Sequence, residues 1–179
     1  MKHFLILSVL YMMLPLSLFA QTYDDLWKRV DAAGSKDLPK TQIDLLTKIA
    51  KKAQREKAYG QLLAADLLAS SLQTQISPDS TDVEVERLKA KAQEAERKDE
   101  VLAAIYNCVL GRIEQGKEKG NSAEYFKKAL SNPSLLARQK AANYTPFVKI
   151  GKDDKIFGGD LLHVIGLQAS DFDKLSHYY

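Results

Sequence analysis

The residues able to do chemistry are few and scattered. The one cysteine of the 179 residues, Cys108, sits in the apolar run Tyr106-Asn107-Cys108-Val109. It has no adjacent base and no helix N-terminus to lower its pKa, so core packing is expected of it and not nucleophilic attack. A single cysteine also excludes an internal disulfide and a multi-cysteine metal site. Asp160 and His163 lie three apart on a predicted helical turn and could share one ion, but an Asp in that place more simply caps the helix. His177 is remote from His163, and no H-E-x-x-H is present. Asp171 and Asp173 lack the glycine and distal glutamate of an EF-hand loop. Gly151-Lys152 has neither the upstream glycine nor the following hydroxyl of a P-loop, and no G-x-G-x-x-G follows a strand. The many Asp/Glu pairs come free with a helical surface, so none stands out as an acid/base pair. No catalytic residue, metal ligand or cofactor site is expected.

Charge narrows the partners further. The 26 basic and 23 acidic residues leave a formal charge of only +3 at pH 7, too balanced for a phosphate-binding surface, so no nucleic acid is expected. With 45% hydrophobic and 27% charged residues, the chain is globular and not disordered.

The first twenty residues read as an export signal. Lys2 and His3 form a short polar n-region, Phe4 to Phe19 is nearly all apolar around Pro15, and Ala20 offers a small residue for cleavage before Gln21. A membrane anchor is the other reading, but an apolar run of about 16 residues is short for a span of about 20. Leu18 departs from the small-x-small ideal. No cysteine follows the h-region to take a lipid, and no later stretch is long enough to span a membrane. The mature chain is therefore expected in the periplasm or cell envelope of a Gram-negative bacterium.

Six amphipathic helices should follow. Thr22 and Asp25 form a capping box, and Tyr23, Leu26, Trp27, Val30 and Ala33 make the first apolar stripe, ended by Gly34. Asp37 should cap a second helix with Pro39 in its first turn. Its stripe is Ile43, Leu46, Ile49, Ala50 and Ala53, and Lys48, Lys51 and Lys52 suit the negative end of its dipole as a solvated face. A third helix, from about Ala58 to Gln75, carries Leu62, Ala65, Leu68, Ala69 and Leu72 and breaks at Ser77-Pro78-Asp79-Ser80. Thr81 and Glu84 make a second capping box before Val85, Leu88, Ala92 and Ala95, and the remaining Glu, Lys and Arg of that helix read as a solvated face. Asp99 caps the fifth, with Leu102, Ile105, Tyr106, Val109 and Ile113. Asn121 and Glu124 open the sixth, with Ala123, Phe126, Ala129 and Leu130 before Asn132-Pro133.

Short connections between six helices imply three antiparallel hairpins. The first two start about 35 residues apart, close to the tetratricopeptide period, and the third about 41 further on. Leu110-Gly111, Ala123, Phe126, Ala129 and Pro133 are the best local match. The expected fold is all-α: hairpins over 21–133 stacked as a short tetratricopeptide-like solenoid, then a loop-rich extension over 134–179 with short helices. An ordinary helical bundle is the alternative. In the extension, Asp160 should cap a helix from Leu161 to about Leu167, and Ser170 should begin a last amphipathic segment with Phe172, Leu175 and Tyr179. Its aromatic end, Tyr178-Tyr179, lacks a partner, and the natural chain is expected to continue.

Taken together, Gln21-Thr22-Tyr23-Asp24-Asp25-Leu26-Trp27-Lys28 after a leader, Asp37-Leu38-Pro39-Lys40-Thr41, Ala129 to Pro133, and Phe157 with Asp160 to Gly166 resemble the N-terminal region of large alpha-2-macroglobulin-like proteins of Bacteroidetes-type bacteria. The resemblance implies a helical region preceding macroglobulin β-sandwiches, a protease-sensitive bait and often a thioester, with trapping of foreign proteases as the activity. This chain has no such array and no Gly-Cys-x-Glu-Gln, so inhibitory chemistry transfers to none of its residues. Asp79-Ser80-Thr81 also resembles the O-glycosylation acceptor of such bacteria, with Ser80 the candidate and a plain turn the alternative. Two functions remain open: a non-catalytic exported segment of a protease inhibitor, docking on the missing C-terminal domains, or a complete periplasmic adaptor holding a protein partner. The exported product is expected to begin at Gln21; N-terminal sequencing tests this, and a product retaining Met1 to Ala20 contradicts it.

Overall fold

A computed structural model describes residues 21–148 and 159–169. The leader with Ala20, the Gly151-Lys152 turn and the Ser170–Tyr179 segment, including Asp171, Asp173 and His177, lie outside the described residues. Those described are helical, without a strand among them, and no helix among them is long and apolar enough to cross a membrane.

Helix α1, Tyr23–Gly34, starts as its capping box requires: Thr22 Oγ1 accepts from Asp25 N at 3.1 Å, and the Thr22 hydroxyl donates to the Asp25 carboxylate. Helix α2, Pro39–Glu56, differs from expectation at its start, because Leu38 occupies the cap and makes no side-chain bond. Asp37 is instead the left-handed residue that closes α1, with φ 52°. Its N–H reaches Gly34 O while Leu38 N reaches Ala33 O, so two orphan carbonyls of α1 are satisfied. Lys57, at φ 54°, closes α2 the same way.

Helix α3, Tyr59–Ile76, leads through a 3₁₀ turn, Pro78–Ser80, into α4, Thr81–Glu96. The expected Thr81–Glu84 box does not form: Thr81 donates to Pro78 O, and Glu84 turns toward α3. Helix α5, Glu100–Gln115, is capped as expected by Asp99, which accepts from Leu102 N at 3.0 Å. Helix α6, Ser122–Ala129, ends before Asn132-Pro133, and Asn132 caps the short α7, Pro133–Leu136. A 3₁₀ turn, Ala141–Tyr144, follows. Helix α8, Leu161–Ala169, is capped by Asp160, which accepts from His163 N at 2.9 Å. Gln139 and Ala141 bond the backbone of Leu161 and Gly159, fastening the entrance of α8 to the chain after α7.

Helices α1, α2 and α3 pack in succession around one apolar cluster: Leu26, Val30, Ala33, Leu45, Leu46, Ile49, Ala65 and Leu72. Helices α4, α5 and α6 pack in succession around a second, which Leu136, Ala141, Tyr144, Val148, Leu161 and Ile165 from the later segments also enter. The two clusters share one helix. Helix α3 sends Ala65 and Leu72 into the first and Leu63 into the second. That double burial explains why Leu68, expected on its apolar stripe, is exposed while Leu63 is wholly buried. Backbones approach closely between α2 and α3, whereas α3 and α4, the expected second hairpin, touch far less.

Two glycines set close approaches. A Cβ on Gly111 would stand 2.6 Å from the Phe126 ring, which is how α6 seats on α5. A Cβ on Gly60 would stand 2.3 Å from the Thr145 carbonyl oxygen, so a bare backbone there lets α3 press on the 141–145 turn.

Ile105→Ala should cost about 2–5 kcal/mol, as large-to-small core changes do. Trp27 is only half-buried, its indole donating to Gln61 Oε1 at 2.6 Å, so Trp27→Ala should cost less. Gly60→Ala should cost about 1–3 kcal/mol because the atom it strikes is backbone. Urea melts measure all three; an Ile105→Ala change within about 0.5 kcal/mol of zero would show that helix to be placed wrongly.

Candidate functional site

Two of the buried polar residues, Asp66 and Ser70, lie where α3 meets α4, whereas Asn107 of α5 donates to Ala103 O and to Glu96. Helix α3 has one charged residue in eighteen, Asp66, and it is only 5% exposed. On α4, Glu84, Arg87 and Lys91 fall three and four apart and so share a face. That face meets α3. Asp66 Oδ1 accepts from Arg87 Nη1 at 2.7 Å and from Lys91 Nζ at 2.5 Å, while Oδ2 accepts from the Tyr106 hydroxyl of α5 at 3.1 Å. One turn on from Asp66, Ser70 donates to Glu84, and the same Glu84 oxygen takes Arg87 Nε at 2.8 Å. Two carboxylates thus balance two cations. The expected solvated face of α4 is, at these three positions, a half-buried seam.

Burial alone would raise the Asp66 carboxyl, but Lys91, then Arg87, holds it below the ordinary aspartate value. Burial and the neighbouring Asp66 carboxylate push the Tyr106 phenol well up, so it stays a hydrogen-bond donor. A second seam lies beside it: the Tyr59 hydroxyl donates to Asp99, joining the start of α3 to the start of α5. Burial, then that bond, raises Tyr59 to about 12. Among the described residues no buried side-chain nitrogen or oxygen lacks a partner.

Cys108 is buried, and burial pushes its thiol up to about 12. It lines an apolar cleft of about 680 Å³ between Ile105–Ile113 of α5, Phe147–Val148 and Val164–Gln168 of α8, with Arg112 at the rim. Asp160 is engaged with the His163 backbone as a cap. Among the described residues no group of three or more His, Cys, Asp or Glu could hold a metal ion. Ser80 is half-buried at its turn, its hydroxyl donating to Ser77 O at 2.6 Å.

The second concavity is a groove of about 1090 Å³ where Gln21 and Leu26 face the last turns of α2. Lys48, Lys51, Lys52, Gln54, Arg55 and Glu56 line it. Lys52 is engaged, paired with Glu56 at 2.6 Å and lying 4.9 Å over the Tyr23 ring, and Tyr23 itself donates to Glu56. Lys48, Lys51 and Arg55 are exposed and enter no ion pair among the described residues.

Sequence reasoning passed over Asp66 and Tyr106 as a pair. The signal was available: a lone carboxylate inside Leu62 to Ala69, otherwise wholly apolar, has to find cations, and α4 carries them at matching spacing. Comparison of the chain with protein-family models, with curated proteins and with solved structures returns no match.

Asp66 has a lowered folded-state pKa, so its contribution is present above the unfolded value, 3.8, and is lost as pH falls through the folded value. The stability gap between wild type and Asp66→Asn should therefore be largest near neutral pH, about 1–3 kcal/mol. That is below the roughly 3–5 kcal/mol of a fully buried pair, because both cations are about one-third exposed. Chemical melts should show the gap shrinking below pH 3.8; a gap independent of pH would contradict the ion pairs.

Proposed function

We propose that the chain is an exported, non-catalytic helical module that holds another protein. The observation that carries this reading is the division of labour among its polar groups. Asp66, Ser70 and Tyr106 inside join helices, whereas Lys48, Lys51 and Arg55, along a recessed surface, enter no ion pair among the described residues. A stack of tetratricopeptide-like hairpins is the arrangement we propose for 21–133. The successive packing of α1 on α2 and of α5 on α6, with Phe126 seated on Gly111, supports it. The sparse α3–α4 contact makes the second hairpin an irregular one. Export rests on the leader, and kinship with alpha-2-macroglobulin-type proteins rests on the residues quoted for it above.

The test is the size of the natural product in the envelope fraction, read with an antibody raised against residues 21–131 after gentle extraction and in-cell crosslinking. A native assembly larger than the denatured chain is expected. A denatured band far above the size of 179 residues would make the module one end of a larger trap-like protein. A native particle of single-chain size under both conditions would overturn the binding role.

A further inference from the structure

The groove at the open end of α1 and α2 has a composition that selects its occupant. We propose that it docks a short acidic peptide segment of a partner protein; this rests on the binding-module reading. Its cationic wall is one face of α2, where Lys48, Lys51 or Lys52, and Arg55 recur one turn apart. From Lys48 to Arg55 the helix advances seven residues, about 10 Å. An extended peptide covers that distance in about three residues at roughly 3.3 Å each. Carboxylates at the two ends of such a segment meet Lys48 and Arg55, with Lys51 between them.

The remaining lining favours a peptide over other anions. The amides of Gln21 and Gln54 offer both donors and acceptors, as a peptide backbone needs. Lys48, Lys51 and Arg55 enter no ion pair among the described residues, so no ion pair of these three has to break on binding.

Fluorescence anisotropy of a labelled peptide, four glutamates around one leucine, tests the proposal on the protein as isolated from its cells. The peptide should bind at low ionic strength and release when the screening length falls from about 10 Å at 0.1 M salt to about 3 Å at 1 M. The glutamine counterpart should not bind. Lys51→Glu with Arg55→Glu should weaken binding at least about tenfold with an unchanged melting curve, both side chains being exposed. Lys119→Glu with Lys127→Glu, the same charge change on exposed residues elsewhere, should bind as wild type does. Absence of binding at low salt, equal weakening by the two double variants, or tighter adherence to phosphatidylglycerol vesicles than to the peptide would each overturn the site. So would a natural partner still held by Lys51→Glu/Arg55→Glu, an outcome that leaves the binding-module reading standing.

Discussion

One carboxylate in an apolar helix governs how this protein is assembled. Asp66 sits in the middle of α3, which both apolar clusters use as a wall, and it takes Arg87, Lys91 and Tyr106 from the two helices that follow. A buried ion pair is weak evidence for net stability, because desolvation offsets much of the attraction. Its stronger effect here is on register. Turning α4 by one residue rotates its side chains about 100°, which would carry Arg87 and Lys91 away from Asp66 and leave a buried charge alone. Long charged side chains also keep α3 and α4 apart, which accounts for the sparse backbone contact between neighbours in the chain.

The same arrangement decides what is left for function. The interior polar groups bond each other, the thiol of Cys108 is held protonated by burial, and Asp160 is spent on capping α8. On the surface of α2, Lys48, Lys51 and Arg55 enter no ion pair among the described residues, and the first apolar cluster, packed behind α2, fixes the face on which they stand.

Much of the fold is legible in the residues, and the misses have physical causes. Thr22, Asp99 and Asp160 cap helices as their positions imply, since an N-cap needs only local geometry. Asp37 misleads because left-handed caps are usually glycine, and here a charged residue takes that conformation. The third helix misleads for a different reason. A helix buried on two sides has no single stripe, so Leu68 reads as core while Leu63, between the clusters, does not. The α4 seam was written in the spacing of Glu84, Arg87 and Lys91, yet such a pattern is what a solvated helix also shows; only the lone Asp66 on the preceding helix separates the two cases. The lysines of α2 read as a solvated face, and the groove beside them is completed by Gln21 and Leu26 outside α2, which no pattern within α2 could supply.

The central claim is that α3, locked through Asp66, makes the two clusters one cooperative body. Trp27, the sole tryptophan, reports on the first cluster, and far-UV circular dichroism reports on all the helices. Equilibrium urea unfolding followed by both probes tests the claim most directly. Superimposable transitions with one midpoint are the expected result. A Trp27 transition that separates from the loss of helix would contradict it, showing that α1–α3 and the later helices unfold independently.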